Sequence, residues 1–200
     1  SCSFEEAELI KLFSNAWRYV KFAISNEFYV MCRDKNLNYK KIHKIMTKNY
    51  PRNFGLPTQG FAAGPCLPKD AVQLYLSNKQ RSKLIKTAHD INENLPNYFV
   101  NNLKKQFNIK GKNIGILGTT FKSNIDDERD SLSIKLKGLL QKNGAQVYCN
   151  DPNVKNKNYL SINRIKKKCK IIFVATPHKK YKNINLRNNI VIDCWDYIKN

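Results

Sequence analysis

The 200-residue sequence predicts an α/β protein in which a helical domain precedes a parallel sheet with covering helices. In the helical domain, apolar side chains such as Leu9 and Phe13 recur at helical spacing. From Gly111 onward, short apolar runs of strand length alternate with an amphipathic segment. We therefore expect two domains, residues 1–108 and 109–200.

The helical domain contains a series of predicted helices. Ser3 is the expected N-cap of the first helix, because Glu5 and Glu6 follow it and complement the positive end of the helix dipole. Pro96 should kink or interrupt the last helix, since proline lacks the amide hydrogen that a helix interior needs. The helices are expected from Phe4 to about Asp34, from Asn38 to Thr47, from Asp70 through Leu76, and from about Lys79 to Phe107.

The second domain should form a parallel, Rossmann-like sheet, because its apolar runs alternate with helical sequence. Gly115 and Gly118 supply only GxxG instead of the GxGxxG of dinucleotide-binding loops, and the next helix begins too late to receive a phosphate. Asp151 follows the second run, where a ribose-binding acid would lie, although an acid there is common. The strands are expected within residues 112–121, 145–152, 169–177 and 189–196, and the helix at Ser131–Lys142.

The composition is that of an ordinary globular protein, with 42% hydrophobic residues and a formal charge of +21. This charge suits an anionic ligand such as a nucleotide, and it leaves a basic nucleic-acid-binding module as a minority alternative because the lysines are spread along the chain. The six cysteines show no close pairing and no CxxC, so neither a disulfide framework nor a metal site is indicated. No segment has the apolar length of a membrane span, and we expect a cytoplasmic location.

The segment GFAAGPCLPKD places Cys66 in a loop of small residues and prolines. Gly60 and Gly64 leave room for a ligand or another backbone to approach closely. Lys69 and the start of the following helix would both favour a nucleophilic thiolate. A buried structural cysteine is the alternative, and these observations alone weigh the two interpretations about equally.

Two further sets of polar residues are candidates for binding. Lys11 and Asn15 lie four residues apart and share one face of the first helix, although spacing alone favours a surface ion pair between Glu8 and Lys11. The segment FKSNIDDERDS follows the first strand, at the edge where open α/β sheets bind ligands. It offers Lys122 and Arg129 for an anion, with a solvated loop as an equal alternative.

Several of these segments together resemble the UDP-glucose/GDP-mannose dehydrogenases, which oxidise nucleotide sugars at C6. The first helix, AELIKLFSNAWRYVKFAISNE, is similar to the family pattern AEL-x-K-x-x-x-N followed by a later N-E. GPCLPKD is similar to the catalytic G-x-C-x-x-K-D segment, and LGTTFKSNIDDERDS to LG-x-x-F-K-x-x-x-DD-x-R-E-S. VYCNDP and VIDCWD match later landmarks, so the resemblance covers essentially the whole chain.

The resemblance implies a role for each candidate residue. Cys66 would capture the C6 aldehyde left by a first hydride transfer to NAD as a thiohemiacetal, and would carry the thioester left by a second transfer. Lys11 and Asn15 would stabilise negative charge on the reacting oxygen, and Asp70 would orient or deprotonate the hydrolytic water. Sugar-nucleotide contacts are implied for Lys122, Gly60, Phe61, Gly64 and Arg52, the last reaching a partner subunit, and a cofactor contact for Arg129.

The sequence also departs from the family pattern. Ala63 and Pro65 replace a glycine and a Ser or His of the catalytic loop, which leaves the sugar specificity open. The lysine before Asp70 is typical of the UDP-glucose and GDP-mannose enzymes, so UDP-glucose is the first expected substrate and a UDP-N-acetylhexosamine the second. Residues 1–54 contain no glycine, so we expect the NAD-binding domain to precede Ser1 and the chain alone to be inactive. The family also implies a homodimer through the first helix.

Overall fold

A computed structural model describes residues 1–198 of the chain. These residues form two compact units, Ser1–Glu93 and a second unit that begins at Asn94. Helix α4, Lys83–Gln106, runs from the first unit into the second, and the domain boundary expected near Asn108 stays a prediction. No helix within residues 1–198 combines the length and the hydropathy required to cross a bilayer.

The first helix, α1, spans Phe4–Asp34, as the sequence predicts. Its N-terminus is a capping box: the Glu6 amide donates to the Ser3 hydroxyl, and the Ser3 amide donates a 2.7 Å hydrogen bond back to the Glu6 carboxylate. Helix α2 spans Tyr39–Thr47 and is capped by Asn38, whose side chain accepts from the Lys41 amide. A short 3₁₀ helix follows at Pro51–Asn53.

The next two helices differ from the prediction in ways that proline explains. Helix α3 spans Leu67–Ser77 and so begins before Asp70, because Pro68 lies in the first turn, where its missing N–H costs no hydrogen bond. Helix α4 continues through Pro96, so it is not interrupted there, and the alternative of a kink stays a prediction. A proline within a long helix removes one backbone hydrogen bond, and the neighbouring turns can still continue on both sides. The predicted start of this helix near Lys79 is also too early.

Small side chains bring the helices of the first unit close together. One cluster joins α1 to the start of α3, through Tyr19, Ala62, Leu67 and Ala71. A second cluster joins α1 to α4, and consists of Val20, Ala23 and Ala88. Because alanine adds only one carbon beyond the backbone, these contacts hold the helix backbones at short separation and place the polar faces of α1 and α3 beside each other.

The second unit contains a four-stranded parallel sheet in the order β2-β1-β3-β4, which confirms the predicted α/β fold. The strands are shorter than the apolar runs, because each run continues into the loop at the strand's carboxyl end. Helix α6 is not among the elements expected from the sequence, although its basic run RIKKK suits a solvated helix face. The elements are β1 Asn113–Leu117, α5 Leu132–Lys142, β2 Gln146–Asn150, α6 Ile162–Lys168, β3 Ile171–Val174, a 3₁₀ helix Lys179–Tyr181, and β4 Ile190–Asp193.

The strand order fixes where a ligand would bind on this sheet. From β1 the chain crosses to β2 on one side, and from β2 it crosses to β3 on the other side of β1. The carboxyl ends of β1 and β3 therefore form a topological switch point, where open α/β sheets bind their ligands. The segments directly after these two strands carry Lys122 and His178.

Candidate active site

The candidate residues of the first unit converge on the carboxylate of Asp70. This side chain is 2% exposed, and its Oδ2 accepts a 2.7 Å hydrogen bond from Nδ2 of Asn15. The Nζ atom of Lys11 lies 3.6 Å from the same oxygen. Helical spacing on α1 thus delivers both side chains to one point, as their shared face implied. The ion pair of Lys11 is with Asp70 on α3, whereas spacing alone favoured Glu8.

Cys66 occupies the N-cap of α3 and is exposed, so the alternative of a buried structural cysteine is wrong. The Asp70 amide donates a 2.9 Å hydrogen bond to the Cys66 carbonyl, which is the first intrahelical bond of α3. Residues four apart on a helix share a face, so the thiol and the carboxylate belong to the same side of this turn. The positive end of a helix dipole also favours negative charge at this position.

The loop before Cys66 has a backbone that depends on glycine. Gly60 has φ of 150° and Gly64 has φ of 98°, a region that side chains with a Cβ rarely adopt. Gly60, Phe61 and Gly64 are all buried. Any contact of this loop with a substrate would therefore use its backbone and small side chains, and the substrate roles expected for these three residues stay predictions.

A pair of buried asparagines holds this loop, and the sequence did not single it out. The Asn26 amide group bonds both polar atoms of Gly60: it accepts from the Gly60 N–H at 2.8 Å and donates to the Gly60 carbonyl at 3.1 Å. Asn26 also donates to Asn92 Oδ1 at 2.9 Å, and Asn92 donates to the Tyr19 carbonyl at 3.0 Å. Both asparagines are 0% exposed. The N-E pair in the first helix was a signal at Asn26, but its spatial partner is 66 residues away.

The remaining candidates are three basic residues, of which Lys122 and Arg129 lie in the second unit. Lys122 is exposed, and its carbonyl accepts a 2.9 Å hydrogen bond from the Thr120 hydroxyl. Arg129 is exposed and donates from Nε and Nη2 to the Asp127 carboxylate, with a shortest distance of 2.7 Å. These hydrogen bonds lower the pKa of Asp127. Arg52, in the first unit, lies exposed on the 3₁₀ helix, and the ligand contacts expected for all three basic residues stay predictions.

Asp151 directly follows β2 and is 6% exposed. One of its carboxylate oxygens, Oδ2, accepts several hydrogen bonds from other residues of the chain. Its Oδ2 accepts from the Thr119 amide at 2.8 Å, from the Thr120 amide at 3.3 Å and from Nε2 of His178 at 2.9 Å. Burial acts to raise the pKa of this carboxyl, but the hydrogen bonds from His178, Thr119 and Asn153 outweigh it and hold the pKa below its ordinary value. These hydrogen bonds join the end of β2 to the segments that follow β1 and β3.

The sheet edge does not fit a dinucleotide. A Cβ on Gly115 would lie 2.6 Å from Ile165 on α6, so this glycine serves helix–sheet packing. A Cβ on Gly118 would lie 2.4 Å from Thr176, so the end of β1 is filled by the protein's own chain. Asp151, the candidate ribose ligand, already accepts from three donors of the protein on Oδ2. We therefore assign no reaction step to NAD at this edge, as the incomplete glycine pattern predicts.

Comparison with known proteins identifies the family. Residues 5–94 match the central domain of the UDP-glucose/GDP-mannose dehydrogenase family, and residues 115–200 match its UDP binding domain. The chain belongs to this family. The resemblance expected from its motifs is thereby confirmed, and the chain spans about half the length, or less, of the curated relatives that follow.

The relatives are named for two different sugars. The chain is 34% identical over 152 residues to a UDP-N-acetyl-D-mannosamine dehydrogenase of Campylobacter jejuni, covering 74% of this chain and 37% of the relative. It is 30% identical over 207 residues to the same enzyme of Pyrococcus horikoshii, covering 96% and 49%. It is 29% identical over 219 residues to a UDP-glucose 6-dehydrogenase of Rickettsia felis, covering 97% and 49%.

Solved structures share the fold. The structure of the Pyrococcus horikoshii UDP-D-ManNAc dehydrogenase matches with a TM-score of 0.86 at 28% identity, covering 97% of this chain and 49% of that one. A UDP-glucose dehydrogenase of Pyrobaculum islandicum matches with a TM-score of 0.88 at 24% identity, covering 96% and 48%. The second likeness supports the fold alone.

Proposed function

We propose that this chain supplies the thiol and the nucleotide-sugar-binding parts of an NAD-dependent UDP-sugar 6-dehydrogenase. The observation that carries the proposal is the convergence of Asn15 and Lys11 on buried Asp70, one helical turn from exposed Cys66. A thiol, two hydrogen-bond donors and a carboxylate on one side of a helix N-terminus are the groups that thioester chemistry requires. NAD supplies the hydride acceptor for the two oxidation steps when it is bound elsewhere in the enzyme.

In the proposed chemistry, the Cys66 sulfur attacks the C6 aldehyde of the sugar. The new S–C bond forms as the carbonyl electrons move to oxygen, and the Lys11 ammonium and the Asn15 amide donate hydrogen bonds to this oxyanion. The Lys11 side chain is 68% exposed, so it can reach a ligand atom at low cost. Asp70 holds both donors in place through its Oδ2.

Once the second of the two oxidations has converted this thiohemiacetal into a thioester, Asp70 would serve its hydrolysis. Among the described residues, the polar side chains that approach this carboxylate, Asn15 and Lys11, meet it at Oδ2. We assign the removal of a proton from the attacking water to Oδ1, the other oxygen of the carboxylate. Water adds to the thioester carbon, its proton passes to Asp70, and the S–C bond breaks to release the Cys66 thiolate and the uronate.

Two sugars are candidates for the substrate. Lys69, directly before Asp70, favours UDP-glucose by resemblance, and this expectation stands as the first candidate. The UDP-N-acetyl-D-mannosamine dehydrogenases among the relatives favour a UDP-N-acetylhexosamine as the second. Both share the UDP group, for which we propose the segment that carries Lys122, with Arg129 toward the cofactor.

The thiol step can be tested without a cofactor. The chain is mixed with UDP-glucose whose C6 is already an aldehyde, or with the N-acetylmannosamine equivalent, and iodoacetamide labelling of each cysteine is followed by mass spectrometry. We expect the aldehyde to protect Cys66 while Cys2, also exposed, labels at an unchanged rate. UDP-glucose itself, which has no aldehyde, is the matched control for simple occlusion.

The variant Lys11→Met should reduce the aldehyde-dependent protection while leaving UDP binding by calorimetry within about twofold. Absence of protection by either aldehyde, at concentrations that saturate UDP binding, would contradict the proposed role of Cys66. A thermal shift with random DNA, together with no shift with either UDP-sugar, would instead support a nucleic-acid-binding module. With UDP-glucose and NAD, we expect the chain alone to produce no NADH.

We further propose a homodimer through the outer face of α1. Leu9, Phe13 and Trp17 are 43%, 54% and 61% exposed and recur at helical spacing. Together with Leu74 and Leu84 they line an apolar groove of about 660 Å³ in the first unit. Large exposed apolar patches mark interaction sites, and a second copy of α1 is the occupant that the family implies.

Light scattering at micromolar concentration tests the dimer. We expect a dimeric mass for the native chain and a monomeric mass for Trp17→Arg, because a charge in an apolar interface is strongly unfavourable. Arg52, expected to reach the partner's substrate, would then matter only in the dimer. A monomeric native chain would contradict the proposal, and the cytoplasmic location stays a separate prediction.

A further inference from the structure

The second unit contains a buried histidine for which neither the motifs nor the proposed chemistry gave a role. His178 follows β3, is 1% exposed, and has hydrogen-bonding partners at both ring nitrogens. Its Nε2 lies 2.9 Å from Oδ2 of Asp151 and 3.1 Å from the Thr120 hydroxyl. Its Nδ1 lies 3.0 Å from the Asn124 amide nitrogen. The ring of Tyr181 packs edge-on against it, with ring centres 5.5 Å apart.

These partners select one tautomer. The Asn124 backbone amide can only donate, so Nδ1 must accept and carries no hydrogen. The side-chain amide nitrogen of Asn153, 3.3 Å from Nδ1, is a second donor at the same position. The proton of the neutral ring is therefore on Nε2, which donates to Asp151. The Thr120 hydroxyl donates its hydrogen to the Lys122 carbonyl. Its oxygen therefore acts as an acceptor toward Nε2, as the Asp151 carboxylate does.

His178 and Lys179 make hydrogen bonds to the loop on both sides of Lys122. Before Lys122, the Thr120 hydroxyl joins the ring to the Lys122 carbonyl. After Lys122, the Asn124 amide donates to the ring, and the Lys179 amide donates a 3.1 Å hydrogen bond to Asn124 Oδ1. Asn124 has φ of 60°, an unfavourable conformation for a residue with a side chain, which these two bonds hold.

We propose that His178, as its Nε2–H tautomer, is a positioning residue that fixes the Lys122 loop in the conformation that binds the UDP group of the substrate. The inference rests on the proposed function, because it is that function which gives the loop its ligand. The two ring nitrogens have different roles in this positioning. Nδ1 holds the loop, whereas Nε2 anchors the ring to Asp151 at the end of β2.

Two substitutions separate these nitrogens. In His178→Asn, the amide oxygen can take the place of Nδ1 and accept from the Asn124 amide; in His178→Gln, the longer amide can take the place of Nε2 and donate to Asp151. Both remove a buried ring and should lower the melting temperature by similar amounts. The readout that separates a positioning role from a structural one is the dissociation constant for UDP, measured by calorimetry on the full chain.

We expect His178→Gln to weaken UDP binding about tenfold, the size of one lost buried hydrogen bond, and His178→Asn to keep it within about threefold. In a Lys122→Ala background, His178→Gln should add little, because the loop has then lost the side chain that its conformation presents. His43→Gln is the matched control: Nε2 of His43 lies 3.1 Å from the Leu56 carbonyl in the first unit, and UDP affinity should not change.

Equal UDP affinities of both His178 variants and the native chain would overturn the inference while leaving the proposed function intact. If the native chain itself does not bind UDP, the proposed function fails, and the inference with it. Should both variants fail to fold, nitrogen NMR of the native chain decides. A neutral Nε2–H ring and slow exchange of the Asn124 amide are expected, and a proton on Nδ1 would overturn the inference.

Discussion

Asn15 and Asp70 are joined across two helices by a 2.7 Å hydrogen bond from the amide nitrogen of Asn15 to Oδ2 of Asp70. The Lys11 ammonium lies 3.6 Å from the same oxygen, but its side chain is 68% exposed. An exposed ion pair contributes little to stability, whereas a hydrogen bond to a buried carboxylate contributes more, because that oxygen cannot recover it from water. Stability and chemistry should therefore depend on Asn15 and Lys11 in different ways.

Asn15→Ala should lower the free energy of unfolding by about 1–3 kcal/mol, since it leaves the buried Asp70 oxygen with one partner fewer. Lys11→Ala should change it by less than about 1 kcal/mol. Urea unfolding at pH 7 measures both. A larger loss for Lys11→Ala than for Asn15→Ala would show that Lys11 is chiefly a structural residue.

Asn92→Ala should cost about 2–4 kcal/mol of stability, because Asn92 makes two fully buried hydrogen bonds. The substitution should also loosen the loop that Asn26 holds at Gly60, so alkylation of Cys66 should become faster. Asn94→Ala, on the exposed side of the same helix, should change stability by less than about 0.5 kcal/mol. An Asn92→Ala protein as stable as that control would contradict a positioning role for the asparagine pair.

Three glycines of the second unit should respond differently to alanine. At Gly118, φ is +88° and a Cβ would lie 2.4 Å from Thr176, so Gly118→Ala should destabilise by about 3 kcal/mol or more. At Gly111, φ is +72° with open space, so only about 1–2 kcal/mol of backbone strain is expected. Gly138, in α5 and also in open space, should gain about 0.5–1 kcal/mol. Thermal unfolding measures this order, and a destabilising Gly138→Ala would break it.

Native-state alkylation should distinguish the two exposed cysteines from the three buried ones, with half-buried Cys32 between them. Cys2 and Cys66 are exposed and should label within the first exposure to iodoacetamide, whereas Cys149, Cys169 and Cys194 are buried and should not. Burial also raises the pKa of the Cys149 and Cys169 thiols to about 11, so little thiolate exists there at pH 8. Peptide mass spectrometry after brief labelling reads each site. Fast labelling of Cys149 at neutral pH would mean that the sheet edge opens.

Asp151 should give the second unit a stability that depends on acid pH. Because the pKa of its carboxyl is lower in the folded than in the unfolded chain, ionised Asp151 stabilises the fold above about pH 4. This contribution is lost as the pH falls through the folded-state pKa. Native chain and Asp151→Asn should therefore differ by about 1–3 kcal/mol at pH 7, and the difference should shrink as the pH falls through the lowered pKa of Asp151. If the difference in unfolding free energy does not change with pH, the loss in Asp151→Asn comes from altered packing and hydrogen-bond geometry and not from the carboxylate charge.

Local sequence signals were enough to predict α1 and the succession of strands along the chain, but not helix α6. The Ser3 cap with Glu6 three residues later marks the start of α1, and the apolar runs mark the strands. The start of α3 was missed because proline usually ends or precedes a helix, yet the first turn also accepts Pro68. Pro96 lies within α4 without ending it, since neighbouring turns can outweigh one lost bond.

The candidate site was predictable only in part. The sequence alone identifies Cys66, Lys11, Asn15 and Asp70 as candidates, since each lies in a recognisable segment. The buried pairs that position the loops were not predictable, because the two members of each pair are distant in sequence. Asn26 and Asn92 are separated by 66 residues and Asp151 and His178 by 27, and a single asparagine or histidine carries no local pattern that marks it as buried and bonded.

The N-cap position of Cys66 on α3 has a mechanical consequence. The thiol and Asp70 belong to one rigid turn, while Lys11 and Asn15 belong to α1, so the four groups move as two bodies. In the proposed chemistry, the distance between the thiol and the oxyanion donors would then depend on how α3 packs against α1. Ala71 and Tyr19 lie in that contact, so their side-chain volumes would affect this distance although neither is proposed to meet the sugar.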